Sequence, residues 1–325
     1  MKTSSEIPTN SSKSAHAVPP IITPQAAPSA LVMSYSAAAQ SNATMRAYDA
    51  DIRHFMQHGG VIPASATMVA EYLASFAGTL AVATLQHRLI AIHREHTDRG
   101  LQSPIMDNLV KRTMQGIRRT LGTKQRRVTA LVKDDLLEMM VHIDQQLPVK
   151  AARDKALLLI GFAGAFRRSE LVALRYEDIT PYDTGLELLI RRSKTDQEGI
   201  GRTVFIPYAR GKRCPVKALT NWLDLAGIIA GPLFRPINRH DQIVGSKALT
   251  PQSIALIVKS SVRMMSGEDA AKKVAGHSLR AGYCTTAAMV GLQPYQIREQ
   301  TGHRSDVTLA RYIRPVEKRK IPSLL

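Results

Sequence analysis

Apolar residues in this chain recur at the three- and four-residue spacing of amphipathic helices from Ser41 almost to the carboxyl end, and the period shortens to two between Leu186 and Ile206. A chain patterned in this way folds mainly as packed helices with one small sheet, because each element buries the stripe or face that its period creates. Ser41 or Asn42 caps a first run through Met45, Tyr48, Ile52 and Phe55, which Gly59-Gly60 stops. A second run spans about Thr67 to Ala77 and ends at Gly78, and a third spans about Val82 to Arg99 and ends at Gly100. Pro104 marks the first position of a fourth, which continues toward Leu121 and Gly122. These runs predict a compact helical domain over residues 31–122. Residues 1–30, rich in Ser, Thr, Pro and Ala without an apolar period, read as a disordered tail.

Past a basic linker at 123–131, helical spacing predicts elements at about Lys133–Gln146, Ala151–Ala165 and Arg168–Leu174. The short β-type runs Leu186–Arg191 and Thr203–Ile206 outline a hairpin. Helical patterns resume at Pro215–Ala226, Pro251–Met265, Leu279–Met289 and Pro294–Gln300. The expected second domain, 132–325, is therefore a mixed α/β unit, mostly helical with a small antiparallel sheet. A length of 325 residues suits two such domains.

Lys and Arg number 44 against 26 Asp and Glu, a formal charge of +18 that suits a polyanionic partner. Lys111, Arg112, Arg118 and Arg119 on the fourth helix run on to Arg126 and Arg127 in the linker, a series placed to meet a DNA backbone. Cys214 and Cys284 have no spacing that suggests a disulfide framework or a zinc site, which fits a reducing cytoplasm. The longest apolar run, Ala156 to Phe166, is about half the ~20 residues of a membrane span, and no secretory signal is evident at the amino terminus. No membrane is expected as a partner.

Four segments of the second domain carry basic or nucleophilic groups: Phe166-Arg167-Arg168-Ser169-Glu170-Leu171, Arg192-Ser193-Lys194-Thr195, His277-Ser278-Leu279-Arg280, and Gly302-His303 followed by Tyr312. Singly, each has a plain alternative: a solvated arginine, a hairpin lysine, a histidine capping a helix, a tyrosine packed near the carboxyl end. Jointly, their order and spacing resemble the tyrosine recombinase (phage integrase) family, of the Cre-like kind. That pattern has an Arg with an acidic residue three positions on, a hairpin Lys, His-x-x-Arg, Gly-His, and a Tyr nine residues after that His; Arg167 with Glu170, Lys194, His277 with Arg280, Gly302-His303 and Tyr312 fill every position. The resemblance implies a helical core-binding domain followed by a catalytic domain, and a site-specific DNA recombinase that works as a homotetramer, a dimer of dimers, on double-stranded DNA carrying recombination sites.

The chemistry accounts for the residue types. In-line attack on a phosphodiester builds charge on the non-bridging oxygens, which Arg167, Arg280 and His303 are equipped to bind. Tyr312 is the expected nucleophile, and its phenol needs a base, for which His277 is the candidate. The leaving 5′-oxygen needs a proton, a role the resemblance implies for Lys194. Glu170 is expected to orient an Arg or His group. No carboxylate cluster for a two-metal nuclease and no phosphate-binding Gly-x-x-x-x-Gly-Lys-Ser/Thr loop is found, so no metal and no cofactor is expected. His93 and His96 lie one turn apart but lack a third ligand in reach of the pattern.

Alignment with Cre-like proteins assigns base-edge or groove contacts to Gln86, His87 and Arg88 on the third helix, and to Gln252, Lys259 and Arg263 after Pro251. Two other readings share the pattern: a topoisomerase IB or telomere-resolvase-like strand transferase, and a non-catalytic DNA-binding regulator. The nucleophile, the lysine and both arginines argue against the regulator. An RNA-binding role has little support at 5% aromatic residues.

Overall fold

A computed structural model describes residues 29–123, 128–193, 196 and 199–318. Lys194, Arg126, Arg127, the amino-terminal tail up to residue 28 and the last seven residues lie outside the described part. The chain divides into two compact units, Met1–Gln125 and Arg126–Leu325.

The first unit is helical: α1 Ala30–Ala38, α2 Asn42–Gln57, α3 Ala66–Ser75, α4 Val82–Asp98 and α5 Asn108–Leu121. Side chains of Ser29, Ser41, Ser65 and Asp107 accept backbone N–H groups at the starts of α1, α2, α3 and α5, supplying partners that a helix end lacks. The apolar stripes meet in a core of Phe55, Val69, Leu73, Leu85, Ile92, Val110 and Met114. Gly60 is required there, because the Phe55 ring lies 2.4 Å from where a Cβ would stand. Two differences from the sequence reading have local causes. Pro104 opens a short 3₁₀ turn, Pro104–Met106, rather than α5, because the Asp107 carboxylate captures the Leu109 N–H at 2.7 Å and starts the α-helix there. Helix α1 was not foreseen, since Leu31, Val32, Met33 and Tyr35 are all more than half exposed and form no buried stripe.

The second unit contains α6 Lys133–Ile143, α7 Pro148–Ala163, α8 Arg168–Ala173, β1 Ile179–Tyr182, β2 Gly185–Ile190, β3 Arg202–Pro207, α9 Pro215–Ala226, α10 Pro251–Lys273, α11 Ser278–Met289, α12 Pro294–Thr301 and α13 Asp306–Lys318. The sheet is antiparallel in the order β1-β2-β3, with Leu188 opposite Ile179 and Leu186 opposite Ile206. Leu186, Leu188 and Ile190 face inward together with Val204 and Ile206, the period-2 pattern of a sheet with one buried face. They join a core with Leu157, Ile160, Leu219 and Trp222, whose indole N–H donates to the Leu233 carbonyl at 2.7 Å. Strand β1 extends the expected hairpin to three strands; Ile-Thr-Pro-Tyr, largely exposed, carries no alternation to reveal it. Helix α10 runs past the expected end at Met265, with a break at Gly267, whose φ of 79° only glycine adopts readily.

Two features bear on the site. Helices α11, α12 and α13 share a small cluster of their own, Cys284, Ala287, Ala288, Ile297, Leu309 and Ile313. The segment entering α6 lies along the start of α11: Thr129 N–H donates to the Lys273 carbonyl at 2.9 Å and Leu131 N–H to the Ser278 carbonyl at 3.1 Å. Gly282 on α11 makes this approach possible, because a Cβ there would stand 1.6 Å from the Leu131 carbonyl oxygen.

Candidate active site

Helix α7 ends in a turn where Ala165, fully buried, holds a φ of 48°, at a cost on the order of 1 kcal/mol for a residue with a Cβ. The turn aims two groups at one place. Its Ala165 carbonyl accepts from Arg280 Nη1 of α11 at 2.7 Å, and the chain then enters α8 through Arg167. Glu170, one turn into α8 and 1% exposed, accepts from Arg167 N–H at 2.9 Å and from Arg167 Nη1 at 2.5 Å. The carboxylate therefore fixes both the helix start and the guanidinium. Arg280 is completely buried, and its Nε and Nη2 have no partner. Burial and then repulsion from Arg167 push it down to about 10.

His277 immediately precedes α11, and its Nε2 lies 2.9 Å from the Tyr312 hydroxyl on α13. Burial first, then Arg280, Arg167 and Arg168, lower this imidazole to about 4, so it is neutral at pH 7 and able to accept a proton. Gly302 ends α12 in the left-handed conformation, φ 64°, and turns His303 inward to 8% exposure. His303 Nδ1 lies 2.7 Å from Thr301 Oγ1, which itself donates to the Ile297 carbonyl at 2.7 Å. Burial and the nearby arginines lower His303 to about 3. The His303 and Tyr312 rings lie 6.0 Å apart. Burial raises the Tyr312 phenol, Cys284 adds to the rise, and Arg280 opposes it.

Burial raises the Tyr312 phenol while burial and the arginines hold His277 at about 4, so the proton between them rests on Tyr312. An anion laid among Arg167 and Arg280 would relieve the arginine part of the lowering at His277, though not the larger part due to burial. The arrangement is a cluster of arginines with a phenol and a neutral imidazole in contact at its edge.

The sequence pattern of the phage integrase family matches residues 129–319, more than half of the chain. The chain is a tyrosine recombinase of the phage integrase family. It is an enzyme of site-specific recombination, one that breaks and rejoins DNA strands. It is 38% identical over 279 residues to an integrase/recombinase xerD homolog of Selenomonas ruminantium, covering 83% of this chain and 81% of that one. It is 24% identical over 272 residues to the recombinase cre of Escherichia phage P1, covering 78% and 77%. Its fold is similar to that in the crystal structure of a lambda integrase tetramer bound to a Holliday junction, with a TM-score of 0.56, 16% identity, and 84% and 72% of the two chains covered.

In this recombinase the structure brings Arg167, Glu170, His277, Arg280, His303 and Tyr312 together; Lys194 lies outside the described residues. It also adds Arg202, the first residue of β3, whose Nη2 lies 3.6 Å from Glu170 and whose Nη1 donates to the Gln300 carbonyl at 3.1 Å. The signal for Arg202 was the strand alternation, which puts positions 202, 204 and 206 on the inner face. Arg168 was also passed over; it packs across Gly276, where a Cβ would stand 2.1 Å from its Cδ.

The residues assigned to DNA contact divide. Lys111, Arg112, Arg118 and Arg119 are exposed on α5, and Gln86, Gln252 and Arg263 are exposed on α4 and α10, with Lys259 half-buried. Arg263 is already paired with Glu268. His87 is held by Asp51, Nδ1 to Oδ2 at 2.5 Å. Arg88 is the correction: expected at a groove, it is 8% exposed and donates through Nη1 to Tyr72 and His54, both at 2.9 Å. Its place on α4 explains this, three residues after Leu85 and four before Ile92, on the stripe that faces the core. His96, fully buried, has both ring nitrogens engaged, with the Ile92 carbonyl and the Ala64 N–H. Among the described residues no cluster of three His, Cys, Asp or Glu is placed to hold a metal ion, and no helix is long and apolar enough to cross a membrane.

Proposed function

We propose that Tyr312 attacks a DNA phosphodiester held by Arg167, Arg280 and His303. The Tyr312 Oη–P bond forms as the P–O5′ bond breaks, the phenol proton passes to His277, and Lys194 protonates the departing 5′-oxygen. The product is a 3′-phosphotyrosine and a free 5′-hydroxyl. Attack by the 5′-hydroxyl of another strand reverses each step, so the linkage energy is conserved and no nucleotide is consumed. The observation that carries this reading is the 2.9 Å contact of His277 with Tyr312 beside a buried arginine that has unpaired donors. If Thr301 accepts from His303 Nδ1, the ring donates to phosphate from Nε2 only when doubly protonated, a state that phosphate charge favours.

The proposal includes the wider assembly. Residues 31–122 act as a core-binding domain, 123–131 as a basic linker and 132–325 as the catalytic domain. Lys111, Arg112, Arg118, Arg119, Arg126 and Arg127 contact the backbone, and Gln86, Gln252, Lys259 and Arg263 contact the grooves. Two dimers pair two sites into a homotetramer, an arrangement that the similarity to the lambda integrase tetramer supports, and the segment ending in Ile321, Leu324 and Leu325 docks on a neighbouring protomer. The protein works in the cytoplasm, at the nucleoid when on DNA.

The test is incubation with end-labelled, nicked DNA from the flanks of its own gene, in EDTA, followed by a denaturing gel. The expected result is a 3′-linked covalent adduct that Tyr312→Phe abolishes. Salt-sensitive binding with no adduct on any such site would favour the non-catalytic regulator instead.

A further inference from the structure

Arg202 is an arginine on the inner face of a strand, in a row whose other members are Val204 and Ile206. Burying a guanidinium costs heavily unless something compensates it, and an apolar residue would serve the core as well or better. The compensation here is partial. Nη1 is satisfied by the Gln300 carbonyl at 3.1 Å, whereas Nε and Nη2 are buried without a hydrogen-bond partner, and Nη2 stands 3.6 Å from Glu170 Oε2. The Nε edge lies against Gly302, where a methyl would come within 2.8 Å of it. The free donors face Glu170 and the Gly302 turn, which sets Arg202 behind the carboxylate.

These contacts link three parts of the site. Glu170 holds Arg167 through its other oxygen, Gln300 and Gly302 stand three residues and one residue before His303, and Arg202 begins the strand that follows the Lys194 segment. Gln300 strengthens the link, since its side-chain amide donates to the Phe205 carbonyl of β3 at 3.2 Å and to the Ala163 carbonyl of α7 at 2.9 Å. A single carboxylate thus lies between two arginines: one aimed at the phosphate pocket, the other behind it.

We propose that Arg202 is a positioning residue for strand cleavage, which acts through Glu170 to hold Arg167 and through the Gln300–Gly302 turn to hold His303, without touching DNA. This rests on the cleavage reading above. As Arg167 is drawn to the phosphate, Arg202 keeps Glu170 in place, so that the Arg167 fork stays oriented rather than swinging with its partner. The spare donor at 3.6 Å is the reserve that such a shift uses. His303 also feels the Arg202 charge, one of those that keep its imidazole neutral before DNA arrives.

The experiment measures single-turnover cleavage of a nicked suicide substrate by Arg202→Met, Arg202→Lys, Glu170→Gln and the Arg202→Met/Glu170→Gln pair, with DNA affinity and thermal unfolding measured for each. Arg202→Met should cut the cleavage rate constant at least tenfold with affinity within twofold, and Arg202→Lys should recover most of the loss. In the Glu170→Gln background, Arg202→Met should cost much less than it does alone. Cleavage by Arg202→Met within twofold of the wild type would overturn the proposal. So would losses in the pair that multiply independently, or a Lys variant no better than Met with lowered unfolding temperatures in both, because these mark a purely structural arginine. Absence of adduct from the wild-type protein would overturn both this inference and the cleavage reading, whereas a wild-type adduct with an unaffected Met variant overturns this one alone.

Discussion

Each unit of the molecule contains a histidine nitrogen 2.9 Å from a tyrosine hydroxyl: His54 with Tyr72 in the first, His277 with Tyr312 in the second. Both pairs are partly or wholly buried, both histidines are lowered chiefly by burial, and both lie beside an arginine. The difference is in the charge balance. In the first unit Arg88 donates to both members of the pair and lies 3.6 Å from Asp51, one cation answered by one carboxylate. In the second unit Arg167 and Arg202 pair with Glu170, Arg280 feels that carboxylate only through space, and the buried Nε and Nη2 of both Arg202 and Arg280 lack hydrogen-bond partners. In the first unit the buried cation has its carboxylate within the fold, whereas in the second the arginines outnumber the carboxylate they surround, a surplus that the proposed phosphate would offset.

The comparison would break first at the tyrosines. Tyr312→Phe should reduce covalent capture of DNA to background, while Tyr72→Phe leaves the rate within about twofold, as read from adduct formation on one substrate. The arginines come next. Arg280→Met should slow cleavage by roughly a hundredfold to a thousandfold without loss of stability, because it removes an uncompensated buried charge. Arg88→Met should leave cleavage intact and lower stability in denaturant unfolding by about 1–3 kcal/mol, because His54 and Tyr72 lose their buried donor and Asp51 keeps only His87. Equal destabilisation by the two substitutions would erase the distinction drawn here.

Protons offer a third test. His277 and His303 stand at about 4 and about 3 in the folded chain, against an ordinary 6.5. Below pH 6.5 the unfolded chain takes up protons that the folded chain refuses, so stability is full above that pH and falls as pH drops toward 4, by on the order of 2 kcal/mol per ring. The doubly substituted His277→Gln/His303→Gln protein should show a flatter unfolding profile across that window. The smallest effects belong to single exposed cations. Lys111→Ala and Arg118→Ala should each reduce the slope of log affinity against log salt by about 1, and unchanged slopes would remove α5 from the DNA-contacting surface.

Much of the fold could be read from local chemistry. Serine caps at Ser41 and Ser65, glycine stops at Gly59 and Gly78, and the change to period 2 at Leu186 are signals carried within a few residues, and the helices and strands follow them. What was missed lacked such signals. Helix α1 has no buried stripe, and β1 contains Pro181 and no alternation. Helix α13 was not foreseen, although it carries Tyr312: its apolar members Leu309 and Ile313 pack into a cluster with residues of α11 and α12, and that partner surface is invisible in one dimension. The grouping of His277 with Tyr312 came from order and spacing, whereas their contact depends on how α11 and α13 meet. Arg88 and Arg202 went astray in opposite directions for one reason. An arginine reads as surface by composition, and only its place on the stripe or strand face shows that it points inward.

Gly282 gives the molecule a point of unusual economy. The hydrogen atom it carries in place of a methyl is what allows the segment that enters α6 to lie against the helix that bears Arg280 two residues earlier. Substituting alanine would add one carbon and force apart two backbones, the segment that enters α6 and the turn of α11 that bears Arg280. The carbonyl of Leu131 is thus a neighbour that the helix carrying Arg280 can accept only while position 282 has no side chain.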